Sequence, residues 1–166
     1  MTRRLNLEHL WSPWRMTYIQ NSTKPEECFF CKEPSHEDGP GNLIVHRGQR
    51  VYAILNRYPY TSGHLMIAPF VHKPTLAELD ATTRAEIMEV ATQGVAALQF
   101  EYKPQGFNLG INLGEIAGAG IADHIHLHIV PRWGGDTNFM STVGSTRVLP
   151  EALEVTYWRI HKAWKR

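Results

Sequence analysis

Five segments of this 166-residue chain are either short apolar runs or alternate between hydrophobic and polar positions, and turn residues lie between the segments. Alternation with a period of two, together with many β-branched and aromatic residues, is typical of β-strands with one buried face. The predicted strands are residues 43–46, 51–55, 64–69, 107–112 and 123–132. A tight turn around Gly48 is expected to join the first two strands.

Two further segments have the spacing of amphipathic helices. In the first, Thr83 and Glu86 are placed as a capping box. Apolar or small residues then recur at intervals of three and four: Ile87, Val90, Ala91, Gly94 and Leu98. The second helix is predicted to open at Pro150 and Glu151. It places four apolar residues on one face: Leu153, Tyr157, Ile160 and Trp164. Together these elements predict an α+β fold, an antiparallel sheet of about five strands with helices packed on it.

The last predicted strand carries histidines at every second position. The histidines are His124, His126 and His128, and the residues that alternate with them are Ile125, Leu127 and Ile129. A strand places these two sets on opposite faces, so that one face joins the core and the other presents three imidazoles. A neutral imidazole near pH 7 serves as a metal ligand, a nucleophile or a proton carrier. Because adjacent positions on one strand face are nearly collinear, we predict that the three rings divide these duties.

A glycine-rich loop precedes the histidines. It spans residues 112–121 and reads Asn-Leu-Gly-Glu-Ile-Ala-Gly-Ala-Gly-Ile. Glycine permits backbone conformations in which successive N–H groups converge, and such groups cradle phosphate oxygens. A plain turn between two strands is the alternative interpretation of the loop alone. Beside a strand of histidines, phosphate binding is the favoured interpretation.

The histidine spacing and the loop together resemble a known family. His-X-His-X-His followed by two apolar residues, after an Asn-X-Gly…Ala-Gly loop, resembles the histidine triad (HIT) superfamily of nucleotide-binding hydrolases and transferases. The resemblance covers residues 28–132, and residues 131–140 further resemble the branch that contains bacterial diadenosine tetraphosphate (Ap4A) phosphorylases. It implies a single HIT-like domain over residues 1–166, with an N-terminal arm (1–27), a HIT core and a C-terminal extension with a helix (133–166).

Nucleotide chemistry at this site assigns roles to the histidines. We predict that His126 attacks the α-phosphorus of a nucleotide and that His128 binds a non-bridging oxygen or the leaving group. The resemblance implies that Asn56 faces the ribose hydroxyls, with a turn-capping role as the alternative. The predicted substrate-binding residues are Asn56, Asn112, Gly118, Ala119, Gly120, Trp133 and Asn138. Two other histidines are expected to have other roles: His46 at the surface or a sheet edge, and His64 as a structural residue near the site.

The only two cysteines, Cys28 and Cys31, form a Cys-X-X-Cys pair. In a reducing compartment this pair suggests metal or redox chemistry before a structural disulfide. A tetrahedral zinc site needs two more ligands. The resemblance implies that they are His72 and His124, which match the ligand positions of zinc-bearing HIT branches. We therefore predict a structural Zn2+ held by these four residues.

Composition and charge limit the partners. A net charge of +1, with 20% charged residues, offers no general attraction to nucleic acid or to a membrane surface. No apolar run approaches the roughly 20 residues of a membrane span, and the polar N-terminus lacks a signal-peptide core, so a cytoplasmic protein is expected. The apolar stripe of the last helix needs a partner, either the parent domain or a second subunit. A homodimer or a higher homo-oligomer is predicted.

The loop also bears on the second substrate. Hydrolase branches carry a Gln after the Ala-Gly of this loop, whereas here Ala119 follows Gly118 and the run to His124 is one residue longer. A Gln is suited to orienting an attacking water, so its absence favours inorganic phosphate as the acceptor. The leading prediction is phosphorolysis of Ap4A to ADP and ATP through a covalent nucleotidyl-histidine. Two alternatives remain open: hydrolysis of AMP esters or phosphoramidates, and nucleotide binding without turnover.

Overall fold

A five-stranded antiparallel sheet is the central element of the computed structural model, which describes residues 27–136 and 151–166. Its strands are β1 (Ile44–Arg47), β2 (Val51–Leu55), β3 (Leu65–Pro69), β4 (Gly106–Ile111) and β5 (Leu127–Arg132). The strand order is β1-β2-β3-β5-β4. The predicted α+β class and antiparallel sheet are confirmed. The predictions made for residues 1–26, for Asn138 and for Pro150 lie outside the described residues.

The core lies on both sides of the two central strands. Every residue of β2 and β3 is buried, as expected for strands that are covered on both faces. The helices of the described residues are α1 (Phe29–Lys32), α2 (Ala81–Tyr102) and α3 (Leu153–Trp164). Helix α2 contacts β2, β3 and β5, and α1 carries the buried side chain of Phe30. The Phe30 ring contacts the rings of His124 and His126, so α1 covers the segment that precedes β5.

The last strand begins later than the histidine spacing predicts. β5 starts at Leu127, and its pairing with β3 also begins there. His124 and His126 precede the strand, with only 0% and 6% of their surface exposed. In this segment the chain is not yet paired with β3. The Ile125 N–H donates instead to the carbonyl of Lys73, beyond the end of β3, at 2.7 Å. The predicted strand, which began at residue 123, was wrong for His124 and His126, which precede the paired strand and lie inside the protein.

Helix α2 has its apolar face where the sequence predicts it. The buried positions include Ile87, Val90, Ala91, Gly94 and Leu98. The predicted capping box was wrong, because the helix begins before it. Asp80 is the N-cap: its carboxylate accepts from the Thr83 backbone N–H at 2.9 Å and from the Thr83 hydroxyl at 2.8 Å. An aspartate in this position satisfies a backbone donor that the first helical turn leaves unpaired.

Glu86 binds the turn between β1 and β2 instead of the helix start. Its carboxylate accepts from the backbone N–H groups of Gln49 at 2.6 Å and Arg50 at 3.1 Å. We expect Glu86→Ala to lower the free energy of unfolding by about 1 kcal/mol, because these charge-assisted hydrogen bonds are lost at a partly exposed position. Urea denaturation measures the change, with Glu89→Ala on the exposed side of the same helix as the matched control. Equal midpoints for the two variants would contradict this role.

Helix α3 begins at Leu153, later than predicted, because the backbone of Ala152 is extended. The Glu151 carboxylate accepts from Arg159 at 2.7 Å and from the Tyr102 hydroxyl. Arg159 also donates to Glu101 of α2 at 2.7 Å, so that one guanidinium joins the two helices.

No helix in the two described ranges is long and apolar enough to cross a membrane.

The apolar stripe of α3 packs on its own domain. Tyr157 and Ile160 are buried, and α3 contacts α2 and β1. The Trp164 ring stacks on the His46 ring with the centroids 5.0 Å apart. His46 is therefore half-buried beneath this helix, and burial lowers its pKa. His46 lies on the edge strand β1, as one of the two predicted alternatives had it, and helix α3 covers it there.

Candidate active site and metal centre

Four side chains from three separate segments meet at one end of the sheet. Cys28 is the N-cap of α1 and Cys31 lies within that helix, His72 follows β3, and His124 precedes β5. Their candidate ligand atoms all lie within 4.8 Å of one another. The Cys28 Sγ lies 3.5 Å from His124 Nδ1, and the Cys31 Sγ lies 3.3 Å from His72 Nδ1. The structure thus brings together all four predicted metal ligands.

The protonation of these groups fits a divalent cation. Partial desolvation and the neighbouring Cys28 thiol raise the pKa of Cys31 to about 11, so two thiolates coexist here only with a compensating charge. His124 donates its Nε2–H to the Pro69 carbonyl at 2.8 Å, which leaves the lone pair of Nδ1 facing the thiols. Burial lowers the pKa of His124 to about 4 and keeps this imidazole neutral, as a metal ligand must be. Two thiolates and two imidazoles are a donor set that Zn2+ accepts in tetrahedral geometry.

His126 lies next to this cluster with a defined tautomer. Its Nδ1 is 2.9 Å from the carbonyl oxygen of His124. A carbonyl only accepts hydrogen bonds, so Nδ1 carries the proton and Nε2 carries the lone pair. Burial lowers the pKa of His126 and favours the neutral ring. A buried, neutral imidazole with its tautomer held by a backbone carbonyl is a suitable nucleophile.

His128 receives a hydrogen bond from a second histidine, His64. The Tyr60 backbone N–H donates to His64 Nδ1 at 3.1 Å, so the His64 proton is on Nε2. His64 Nε2 lies 3.0 Å from His128 Nδ1 and donates to it. A neutral His128 therefore carries its own proton on Nε2. The rings of His126 and His128 are 4.8 Å apart, so a nucleophile and a proton donor lie side by side.

The prediction that His64 is a structural residue near the site is confirmed: it is completely buried and hydrogen-bonded to His128. Its partner in the triad was not predicted. The pairing of β3 with β5 brings His64 to His128. Met66 lies opposite His128, and His64 is two residues before Met66, on the same face of the sheet. That pairing joins residues 64 positions apart, and periodicity along the chain carries no information about it.

Asn56 adopts the turn-capping role that the sequence leaves open. Its Oδ1 accepts from the Tyr58 backbone N–H at 2.9 Å, and its Nδ2 lies 3.4 Å from His64 Nδ1. The side chain therefore lies in the loop after β2, beside the histidine pair. A ribose contact from this position stays a prediction.

The glycine-rich loop is closed by its own hydrogen bonds. The Asn112 side-chain amide donates to the Gly118 carbonyl at 3.3 Å. Gly114 and Gly118 have φ angles of +84° and +92°, a region that favours glycine. The N–H groups of Gly118 and Ala119 donate to carbonyls within the loop, at 2.9 and 3.3 Å. Contrary to the prediction, these two N–H groups are not directed at a phosphate in this conformation. A contact between the loop, including Gly120, and the nucleotide stays a prediction.

Trp133 does not lie beside the histidines within one chain. It is one residue beyond the end of β5, whereas His128 is the second residue of that strand. Five positions at about 3.3 Å each separate the two residues by roughly 17 Å. The predicted contact between Trp133 and the nucleotide has no support from this distance, and Asn138 lies outside the described residues.

The site combines three features: a buried imidazole with a defined tautomer, a second imidazole held by His64, and an adjacent cluster of two thiols and two imidazoles. These are the groups that nucleophilic catalysis by histidine requires. Comparison with known proteins agrees with this geometry. The family model described as "HIT domain" matches residues 40–135. The chain therefore belongs to the HIT family, and a nucleotide-processing transferase or hydrolase activity is what this membership supports.

Individual relatives extend the similarity beyond the HIT core. The chain is 38% identical over 172 aligned positions to "AP-4-A phosphorylase" of Mycobacterium tuberculosis H37Rv, covering 99% of this chain and 88% of the relative. It is 31% identical to "Protein hit" of Bacillus subtilis, covering 69% of this chain and 77% of that one. Among solved structures, a Zn-bound histidine triad family protein from Mycobacterium smegmatis superposes with a TM-score of 0.67 at 26% identity, covering 84% and 94% of the two chains.

Proposed function

We propose that this protein is a dinucleoside polyphosphate phosphorylase that converts Ap4A and inorganic phosphate to ADP and ATP. The observation that carries the proposal is the 38% identity, over 99% of this chain, to a protein named AP-4-A phosphorylase. Alignment over nearly the whole chain includes the segments outside the HIT core, where relatives of the general family match less of it. The histidine geometry supports a covalent route.

In the first step, His126 Nε2 attacks the α-phosphorus of the bound nucleotide. A phosphorus–nitrogen bond forms, and the bond between the α-phosphorus and the bridging oxygen of the departing ATP breaks. The His124 carbonyl holds the Nδ1 proton of His126 and stabilises the positive charge that develops on the ring. His128, with its proton on Nε2 and His64 behind it, donates to the oxygen on which negative charge accumulates.

In the second step, an oxygen of inorganic phosphate attacks the same phosphorus. The phosphorus–nitrogen bond breaks, the electron pair returns to His126 Nε2, and ADP is released. Two displacements at one centre separate a difficult transfer into two steps, each with a good leaving group. This chain lacks the loop Gln of the hydrolase branches at the position of Ala119, which supports phosphate over water as the acceptor.

A phosphate series is the decisive measurement. We expect turnover of Ap4A to rise with phosphate concentration and to saturate, with ADP and ATP released in equal amounts, because phosphate occupies a defined acceptor position. A sulfate series at matched ionic strength is the control. AMP and ATP formed at a rate independent of phosphate would identify a hydrolase. Tight binding of intact Ap4A without turnover would identify a binding module.

We also propose that Cys28, Cys31, His72 and His124 hold one structural Zn2+. The convergence of the four ligand atoms supports this, as does the fit of their protonation states. When bound, the ion supplies cross-linking of three chain segments, and its ligand set leaves no position for substrate.

A homodimer that pairs β4 edge to edge is our proposal for the quaternary structure. β4 is an edge strand of the sheet, and it carries Leu109, of which 44% is exposed, with the half-exposed Leu113 just after it. An exposed apolar edge is a template for pairing with a second chain. The last helix, which the sequence suggested for this contact, packs on its own domain instead. Light scattering that gave the mass of a single chain would contradict the dimer.

A further inference from the structure

Phe30 lies between the two cysteines and against the nucleophile. Only 1% of its surface is exposed. Its ring centroid is 4.6 Å from that of His126 with the planes at 37°, and 5.2 Å from that of His124. Its backbone carbonyl accepts from the Tyr52 hydroxyl at 2.7 Å, and Tyr52 is itself completely buried. Phe30 therefore contacts the metal centre through the chain and the candidate nucleophile through its ring.

We propose that Phe30 is a positioning residue that couples the metal centre to the orientation of the His126 imidazole. Rotation of an imidazole about its last side-chain bond is soft, because torsions of this kind have broad minima. One hydrogen bond from Nδ1 restrains the ring at a single point. A close-packed aromatic face adds a second restraint, which keeps Nδ1–H on the His124 carbonyl and Nε2 directed at the substrate.

The metal centre determines where Phe30 sits. Helix α1 has four residues, too few to be stable in isolation. The Cys31 and Lys32 N–H groups both donate to the Cys28 carbonyl at 3.0 Å, so the turn depends on Cys28 being in place. A cation bound to the two flanking sulfurs would hold both ends of the segment that carries Phe30. Its loss would free the segment and remove the aromatic restraint on His126.

The effect on catalysis rests on the proposed function, whereas the effect on ring orientation does not. Because Phe30 is almost fully covered, its replacement should alter the chemical step and not substrate binding. Phe30→Leu tests this, with Phe107→Leu as the matched control. Phe107 is a partly buried phenylalanine of the same core, on β4, opposite Pro131 at the other end of the strand from His128.

Three measurements are made on each full-length variant at one pH. Elemental analysis gives zinc per chain. Ring 15N NMR gives the His126 tautomer. Single-turnover kinetics give the rate of nucleotidyl-His126 formation, beside kcat and KM. For Phe30→Leu we expect wild-type zinc content and a mixture of His126 tautomers. Formation of the intermediate should slow about tenfold, because a small misplacement of a nucleophile is costly. KM should stay within about twofold of the wild-type value, because Phe30 is covered and does not face the substrate. Phe107→Leu should match the wild type in all three.

Zinc removal completes the test. Chelation should slow formation of the nucleotidyl-His126 intermediate about tenfold in the wild type. In Phe30→Leu, chelation should slow it by less than about twofold more, since both changes remove the same restraint. A single wild-type tautomer in Phe30→Leu overturns the proposal, whether or not turnover falls. If Phe30→Leu does not fold, Tyr52→Phe, which loses the hydroxyl that anchors Phe30, must shift the tautomer or the proposal fails. If the wild type forms no nucleotidyl-histidine, the proposed function fails, while the NMR and zinc measurements still decide the role of Phe30.

Discussion

His126→Ala and His126→Gln are expected to abolish the nucleotidyl-enzyme intermediate and to lower Ap4A turnover by about 10^4-fold or more. Removal of a nucleophile leaves only binding and the remaining donors, and losses of this size are usual for groups that form a covalent intermediate. The glutamine variant matters because His126 is buried beneath Phe30. Glutamine keeps most of the volume and a donor for the His124 carbonyl, whereas alanine leaves a cavity that costs stability as well.

Acid-quenched samples analysed by intact mass and by product chromatography measure both effects. The wild type should gain the mass of one nucleotidyl group during turnover, and neither variant should. His36→Ala is the matched control, because the His36 side chain is half-exposed and its ring lies 3.9 Å from the Glu33 carboxylate, outside the triad. Its turnover should equal that of the wild type. Near wild-type turnover in His126→Gln would assign the nucleophile elsewhere.

Protein purified without chelator is expected to contain about one zinc per chain, and its loss should lower the melting temperature by about 10 °C. The four ligands come from the start of α1, the turn after β3 and the segment before β5, so the ion joins three parts of the chain. A ligand that binds only the folded state stabilises that state by mass action.

The Cys31→Ser variant tests, without a chelator, whether zinc stabilises the fold. It should reduce zinc well below one per chain and melt near the temperature of the chelated wild type. Added Zn2+ should restore the melting temperature of the chelated wild type, whereas Mg2+ should not, since thiolate and imidazole ligands disfavour it. A zinc content far below one per chain together with unchanged melting would remove the metal from the structure.

Short-range patterns were sufficient for the sheet, for the buried face of α2 and for the Cys-X-X-Cys pair, whereas the other two ligands, His72 and His124, came from the family resemblance. The first three depend on periodicity and residue type, which are present in any window of the chain. The boundaries were less well predicted. Asp80 displaced the expected capping box because several side chains can cap one helix, and the choice depends on the strand turn that engages Glu86.

The residue types of the site were readable in the chain, but their hydrogen-bond partners were not. His-X-His-X-His identifies imidazoles without stating which nitrogen holds a proton. The tautomers follow from the Pro69 and His124 carbonyls and from His64, which approaches His128 only because β3 pairs with β5. The Phe30 ring likewise reaches His126 across almost a hundred residues of sequence, at a distance that no local spacing encodes. Local pattern specifies which groups are available, and long-range packing specifies which of them touch, because contact between distant segments depends on the whole fold.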